Sequence, residues 1–235
     1  MPASYEPLDG RRRAVNVVFA ALVAISIVAC VFDVLEIQLM DRIVAGDTIT
    51  EAEATANDNR QGVMGVIQFA AYVAGAIAFI RWLRAAYRNT DVVAAGTRRY
   101  GHGWAIGSWF VPFLNLWRPK QIVNDVWRAG GHDAKGTEPG ALLLWWWWAF
   151  LLSGWAANIA LRSWFSDETP DELRRGTIAL AFSDGLDVIG AFLAIHVVRA
   201  ATDRLDGRAA GLRTPADEPP GEGLEAPERP AGLPA

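Results

Sequence analysis

The chain has little of what enzymes are commonly built around. It holds one cysteine, Cys30, so neither a disulfide nor a cysteine metal set can form within one chain. Its three histidines, His102, His132 and His196, stand far apart without ligand spacing. There is no nucleophile motif and no phosphate-binding glycine loop. From these absences we expect no enzyme activity, no metal and no cofactor. Lysine is scarce as well, 2 residues against 20 arginines, a bias of coding composition rather than of chemistry. The basic residues flank apolar blocks instead of gathering on a soluble face, which argues against a nucleic-acid partner. The net charge of −4 adds little, because much of the acid sits in one loop and in the C-terminal tail.

What the chain does have is long apolar runs. Hydrophobic residues make up 52% of it, gathered into blocks of about twenty, the length a helix needs to cross hydrocarbon. The spacing predicts an all-α, polytopic helical membrane protein. Its four spans cover about residues 14–38, 62–80, 141–161 and 177–198. Residues 1–13 read as a polar lead and residues 41–60 as an acidic, polar connection. Residues 205–235, rich in Pro, Gly, Ala and Glu, read as a disordered tail. Tryptophan is heavily used, 11 in all. The run Trp145–Trp148 covers every azimuth of its helix, so it is an interfacial aromatic belt rather than one binding face.

Orientation follows from the basic residues. With the N-terminus in the cytoplasm, 17 Lys and Arg lie on that side and 5 on the other. Both termini are therefore expected in the cytoplasm, in a plasma-membrane protein. The same split requires an even number of crossings between Arg81 and Lys135. Ile27-Val28-Ala29-Cys30 has the form of a lipobox after a basic lead. The apolar, helical run after it favours an ordinary membrane-helix cysteine over a lipidated one.

Between spans two and three lies "GWAIGSWFVPFLNLWRPKQIVNDVWRA". Together with "RWLRAAYRN" and the Trp-rich "LLLWWWWAFLLS", it resembles the domain-of-unknown-function family 4328 of bacterial, mostly actinobacterial, membrane proteins. The resemblance covers about residues 60–205. Its most specific part reads here Trp109, Phe110, Val111, Pro112, Asn115, Leu116, Trp117, Arg118 and Pro119. It implies a multi-pass membrane protein and no particular reaction. Physically, Pro112 breaks a helix, which membrane depth tolerates only where protein or water covers the freed carbonyls. Asn115 is positioned to bond them, Arg118 to meet lipid phosphate, and Pro119 to open a new helix. We expect a broken apolar hairpin over 102–117 that enters or skims the membrane without crossing, either lining a substrate path or plugging the bundle. An amphipathic interfacial helix over 119–129 follows it, with Ile122, Val123, Val126 and Trp127 as its apolar stripe.

Two further sets carry chemistry. Arg81, Arg84 and Arg88 share a helix face at the inner leaflet, as anionic-lipid contacts or as topology anchors. Asp184 and Asp187 share a face of span four, where an ionised Asp costs about 2.5–3.5 kcal/mol. They are either a proton or cation relay or interhelical polar glue, with Gln68, Asn158 or an Arg of the broken segment as partners. Three functions stay open. The first is a membrane scaffold with lipids and a membrane-protein partner or a second copy. The second is a small proton- or cation-coupled transporter, and the third a lipid-handling membrane enzyme.

Overall fold

The structure is a computed structural model. It describes residues 4–131, 139–164 and 169–213, among which there are helices and no strands. In chain order the helices are α1 (Asp9–Val44), α2 (Glu51–Val93), α3 (Trp104–Gly107), α4 (Arg118–Ala129), α5 (Ala141–Trp164) and α6 (Pro170–Arg213). A 3-10 turn over Leu114–Leu116 joins α3 to α4. Four helices (α1, α2, α5 and α6) are long and apolar enough to cross a membrane. At about 1.5 Å per residue, α2 with 43 residues and α6 with 44 are roughly twice the length a bilayer core requires. They project beyond it.

Those projections correct three expectations. The polar connection shrinks to residues 45–50, because α1 runs on to Val44 and α2 starts at Glu51. Gly46, at φ 87°, turns the chain where a side chain would strain. A capping box then starts α2: Glu53 N–H donates to Thr50 Oγ1 at 3.2 Å, and Thr50 N–H to Glu53 Oε2 at 3.0 Å. The lead is docked, with Leu8 buried and Glu6 bonded through its backbone to the Asn89 amide. The expected tail is helical to Arg213. Leu205 and Ala209 are buried, and Asp206 accepts from the Tyr5 hydroxyl at 2.5 Å. Residues 214–235 lie outside the described residues.

In the bundle α1 and α5 pack along α6, and α2 packs along α1. Helices α2 and α5 do not pack along one another. The end that holds residues 45–50 is the loop end. The opposite end carries residue 9, the hairpin, α4 and Arg213, and is the termini end. The interior differs sharply between them. Towards the termini end it is a block of rings: Phe79, Trp82, Trp146 and Trp147 meet with centroids 5.4–5.6 Å apart. Trp82 also donates to Thr202 Oγ1 at 3.0 Å. Towards the loop end the same stripes turn polar: Ser26 and Asp33 on α1, Asn57, Gln61, Gln68 and Tyr72 on α2, and Ser183 and Asp184 on α6. Trp146 and Trp147 thus belong to the core. Only Trp145 and Trp148 of the Trp run face outward, as a belt would.

Candidate functional site

The polar seam is built by helix periodicity. Asn57, Gln61, Gln68 and Tyr72 fall within one narrow stripe of α2. Asp33 and Glu36 are one turn apart on α1, as Asp184 and Asp187 are on α6. Nearest the loop end, the Gln61 amide donates to Glu36 Oε2 at 2.5 Å and to the Phe32 carbonyl at 3.3 Å. Arg60 donates to Asn57 Oδ1 at 2.6 Å and lies over the Phe32 ring. Deeper in, the Gln68 amide donates to Asp184 Oδ1 at 2.9 Å. Asp33 approaches Asp184 within hydrogen-bonding reach. Deepest is Asp187, which accepts from the Tyr72 hydroxyl and from Ser153 Oγ, each at 2.5 Å. Ser183 ties this level to α5 by donating to the Ser153 carbonyl at 3.1 Å. Below Asp187 the carboxyls of the seam give way to the ring block, where the Trp82–Thr202 bond lies.

Asp33 and Asp184 are 1% and 2% exposed. Among the described residues, none of Asp33, Asp184 and Asp187 forms an ion pair with a Lys, Arg or His. The structure therefore brings Gln68 to Asp184, but it supplies no Arg of the broken segment. Asn158 is on the exposed face of α5, and Ser153 stands in the place expected of it. The spacing argument missed Asp33, Tyr72 and Ser153. Tyr72 lies one turn beyond Gln68 and was findable. Asp33 reads as the far end of span one only if α1 stops there, and it runs eleven residues further. His196 is occupied on its own helix by the Phe192 carbonyl at 2.8 Å. Cys30 sits half-buried within the unbroken helix α1.

The broken segment leaves and returns at the termini end. Trp109 turns inward and meets the rings of Phe79, Trp147 and Phe150 at 5.8, 6.4 and 5.8 Å. It fills the gap between α2 and α5 at the level of the ring block. Its indole N–H is buried without a partner, so ring contacts hold it. Phe110 and Phe113 point away, 73% and 74% exposed. After Pro112, Phe113 takes φ 64°, a conformation that costs a side chain energy. The freed carbonyls are not met by the Asn115 side chain. Leu114 N–H takes the Pro112 carbonyl at 2.8 Å and Asn115 N–H the Val111 carbonyl at 3.2 Å. Trp147 Nε1–H takes that of Leu116 at 3.2 Å. The Arg118 guanidinium is half-buried and lies over the Trp104 and Tyr100 rings at 4.1 and 4.8 Å, within cation–π range. Trp117 is half-exposed beside it.

Pro119 does open α4, but the interfacial expectation for that helix is corrected. Ile122, Val123 and Val126 are fully buried against the projecting ends of α2 and α6. Its polar face is partly buried too: Asp125 accepts from Arg99 Nε at 2.8 Å and lies 3.6 Å from Arg128. Burial and the nearby Arg128 and Arg99 charges push Lys120 below the usual lysine range. Gly130 then lets the chain touch α6; a Cβ there would sit 2.9 Å from the Arg204 backbone. Gly190 likewise faces Ala149 of α5, whereas Gly185 faces open space. Arg81, Arg84 and Arg88 are exposed together on α2, opposite buried Trp82 and Leu83. Arg88 also lies 3.8 Å from Glu6.

The family model described as Domain of unknown function (DUF4328) matches residues 45–203, two thirds of the chain and nearly all of the bundle after α1. No curated protein and no solved structure matches it.

Proposed function

The chain belongs to the DUF4328 family, and from that premise we propose that it is a small proton- or cation-coupled membrane transporter that uses the intramembrane Asp184 and Asp187. The observation that carries this reading is the seam. Three carboxyls from two helices, without a basic partner, end a polar track that starts at the loop end and stops against a ring block. Glue is a poor account of them. Interhelical hydrogen bonds in membranes average about 0.6 kcal/mol, whereas an ionisable residue at depth costs about 2.5–3.5 kcal/mol. Amides or hydroxyls would hold the helices at less cost. With both termini in the cytoplasm, as the 17 to 5 split of basic residues favours, the seam faces outward and the Trp109 block closes the inner side.

The test is proton flux into proteoliposomes with an entrapped pH indicator, under an imposed gradient. Flux should exceed that of protein-free vesicles and vanish when Asp184 and Asp187 are both changed to Asn. Flux equal to empty vesicles in the wild type would sink the reading. A second reading, a membrane scaffold, draws on a different feature. At the termini end Leu8, Tyr87, α4 and Leu205 pack into a folded layer beyond the spans, a platform for a membrane-protein partner or a second copy. A scaffold keeps its abundance and its partners in the double Asn variant, and a co-purification experiment reads that directly. In both readings Arg81, Arg84 and Arg88 are candidate contacts for anionic membrane lipids.

A further inference from the structure

Asp33 and Asp184 meet from α1 and α6, and each has one carboxyl oxygen, Oδ2, buried and without a hydrogen-bond partner. The other Asp184 oxygen takes the Gln68 amide. Two orphaned acceptors on carboxyls within bonding reach of one another are incompatible with two carboxylates. Like charges that close, in a site shielded from water, repel strongly, and neither oxygen has a donor. A single proton shared by the two carboxyls removes one of the charges and gives the pair a donor. The titratable groups facing the pair are Cys30 and Glu36 on α1, Tyr72 on α2 and Asp187 on α6, and none is basic. Asp187 differs: its two oxygens already accept from Tyr72 and Ser153. Among the described residues, no three His, Cys, Asp or Glu side chains converge on a point that would hold an ion.

We infer that Asp33 is the third carboxyl of the site and that Asp33 and Asp184 hold one exchangeable proton between them, so that the coupling ion is a proton. This rests on the transport reading above for its purpose, but not for its test. With the proton bound, the pair is one carboxylic acid and one carboxylate with a net charge of −1. On release the proton passes to water along the seam and leaves two carboxylates with a net charge of −2. That change supplies the differential free energy a carrier needs between its two states.

Two measurements on the full-length protein in detergent test the pair without any transport assay. The first is infrared spectroscopy at neutral pH with exchange into heavy water, which reads the C=O stretch of a protonated carboxylic acid. A band that shifts on exchange is expected. It should disappear in Asp33→Asn and in Asp184→Asn and persist in Asp187→Asn. The second is treatment with dicyclohexylcarbodiimide, which adds to protonated carboxyls in apolar surroundings, followed by peptide mass spectrometry. The adduct should fall on Asp33 or Asp184 and not on Asp187. No protonated-acid band in the wild type overturns the inference, whether or not the variants fold. So does a band that survives both Asp33→Asn and Asp184→Asn, or an adduct confined to Asp187. A shared proton without vesicle flux would refute the transporter and leave the pair standing. Flux without a protonated acid would do the reverse.

Discussion

The two halves of the bundle interior are lined by the same helices and obey opposite rules. Along α2, one stripe presents Asn57, Gln61, Gln68 and Tyr72 towards the loop end, and Phe79 and Trp82 towards the termini end. The ring half is held by shape: large side chains interlock, and a void has nothing to fill it. The polar half is held by directed bonds, several of them to carboxyls that stability alone does not require. A helix bundle in a membrane gains nothing from hiding apolar groups from water at its centre, because lipid is as apolar as leucine. The ring half therefore supplies the packing, and the polar half is free to be specialised.

Mutations should separate the halves. The largest effect is expected from Trp82→Ala, which opens a void at a fully buried position and strands the Thr202 hydroxyl. It should cost about 3 kcal/mol or more, read as a lower unfolding midpoint in detergent. On the same stripe Gln68→Leu should cost no more than about 0.6 kcal/mol. Equal losses at the two positions would dissolve the distinction between the halves. Next comes Gly130→Ala, where the new methyl meets the Arg204 backbone. It should cost about 1–3 kcal/mol and raise proteolysis of α4 before the bundle unfolds. Phe113→Gly acts in the opposite direction. Relief of a positive φ should stabilise the hairpin by up to about 1 kcal/mol, visible as slower amide exchange over 110–117.

The smallest effect is a pH dependence at the loop end, outside the span. The Thr50 backbone amide, Arg42 and the Thr50 hydroxyl hold the Glu53 carboxyl down at about 2, against an ordinary 4.5. A lowered acid favours the folded form above its ordinary value, and that contribution is lost as pH falls from 4.5 through about 2. The midpoint of unfolding should thus carry a slight downward slope in that window that Glu53→Gln removes. A slope of the same size in the variant would assign it to other acids.

Much of the architecture was legible because its determinants are local. Twenty-residue apolar blocks and Pro112 report on spans and a break without any knowledge of neighbours. The capping box at Thr50 and Glu53 is equally local, although the polar composition of residues 41–60 disguised two helix ends as loop. The hairpin's return to its own side was implied by charge counting. Its role was not, since Trp109 acquires meaning only from Phe79, Trp147 and Phe150 brought in from two other helices. The same holds for α4. Its stripe looked suited to lipid, and only the projecting ends of α2 and α6 show that protein covers it.

What the amino-acid order determined by itself is that four helices are apolar enough to span a membrane, and that Asp184 and Asp187 stand one turn apart on a single face, because these follow from hydrophobicity and a 3.6-residue period. What only the tertiary structure decided is which groups meet those acids. Asp33 lies 151 positions before Asp184, and Ser153 and Tyr72 come from two further helices. A carboxyl is glue, relay or half of a shared-proton pair according to the donors and charges within a few ångströms of it, and helix periodicity carries no information about the neighbours that packing supplies.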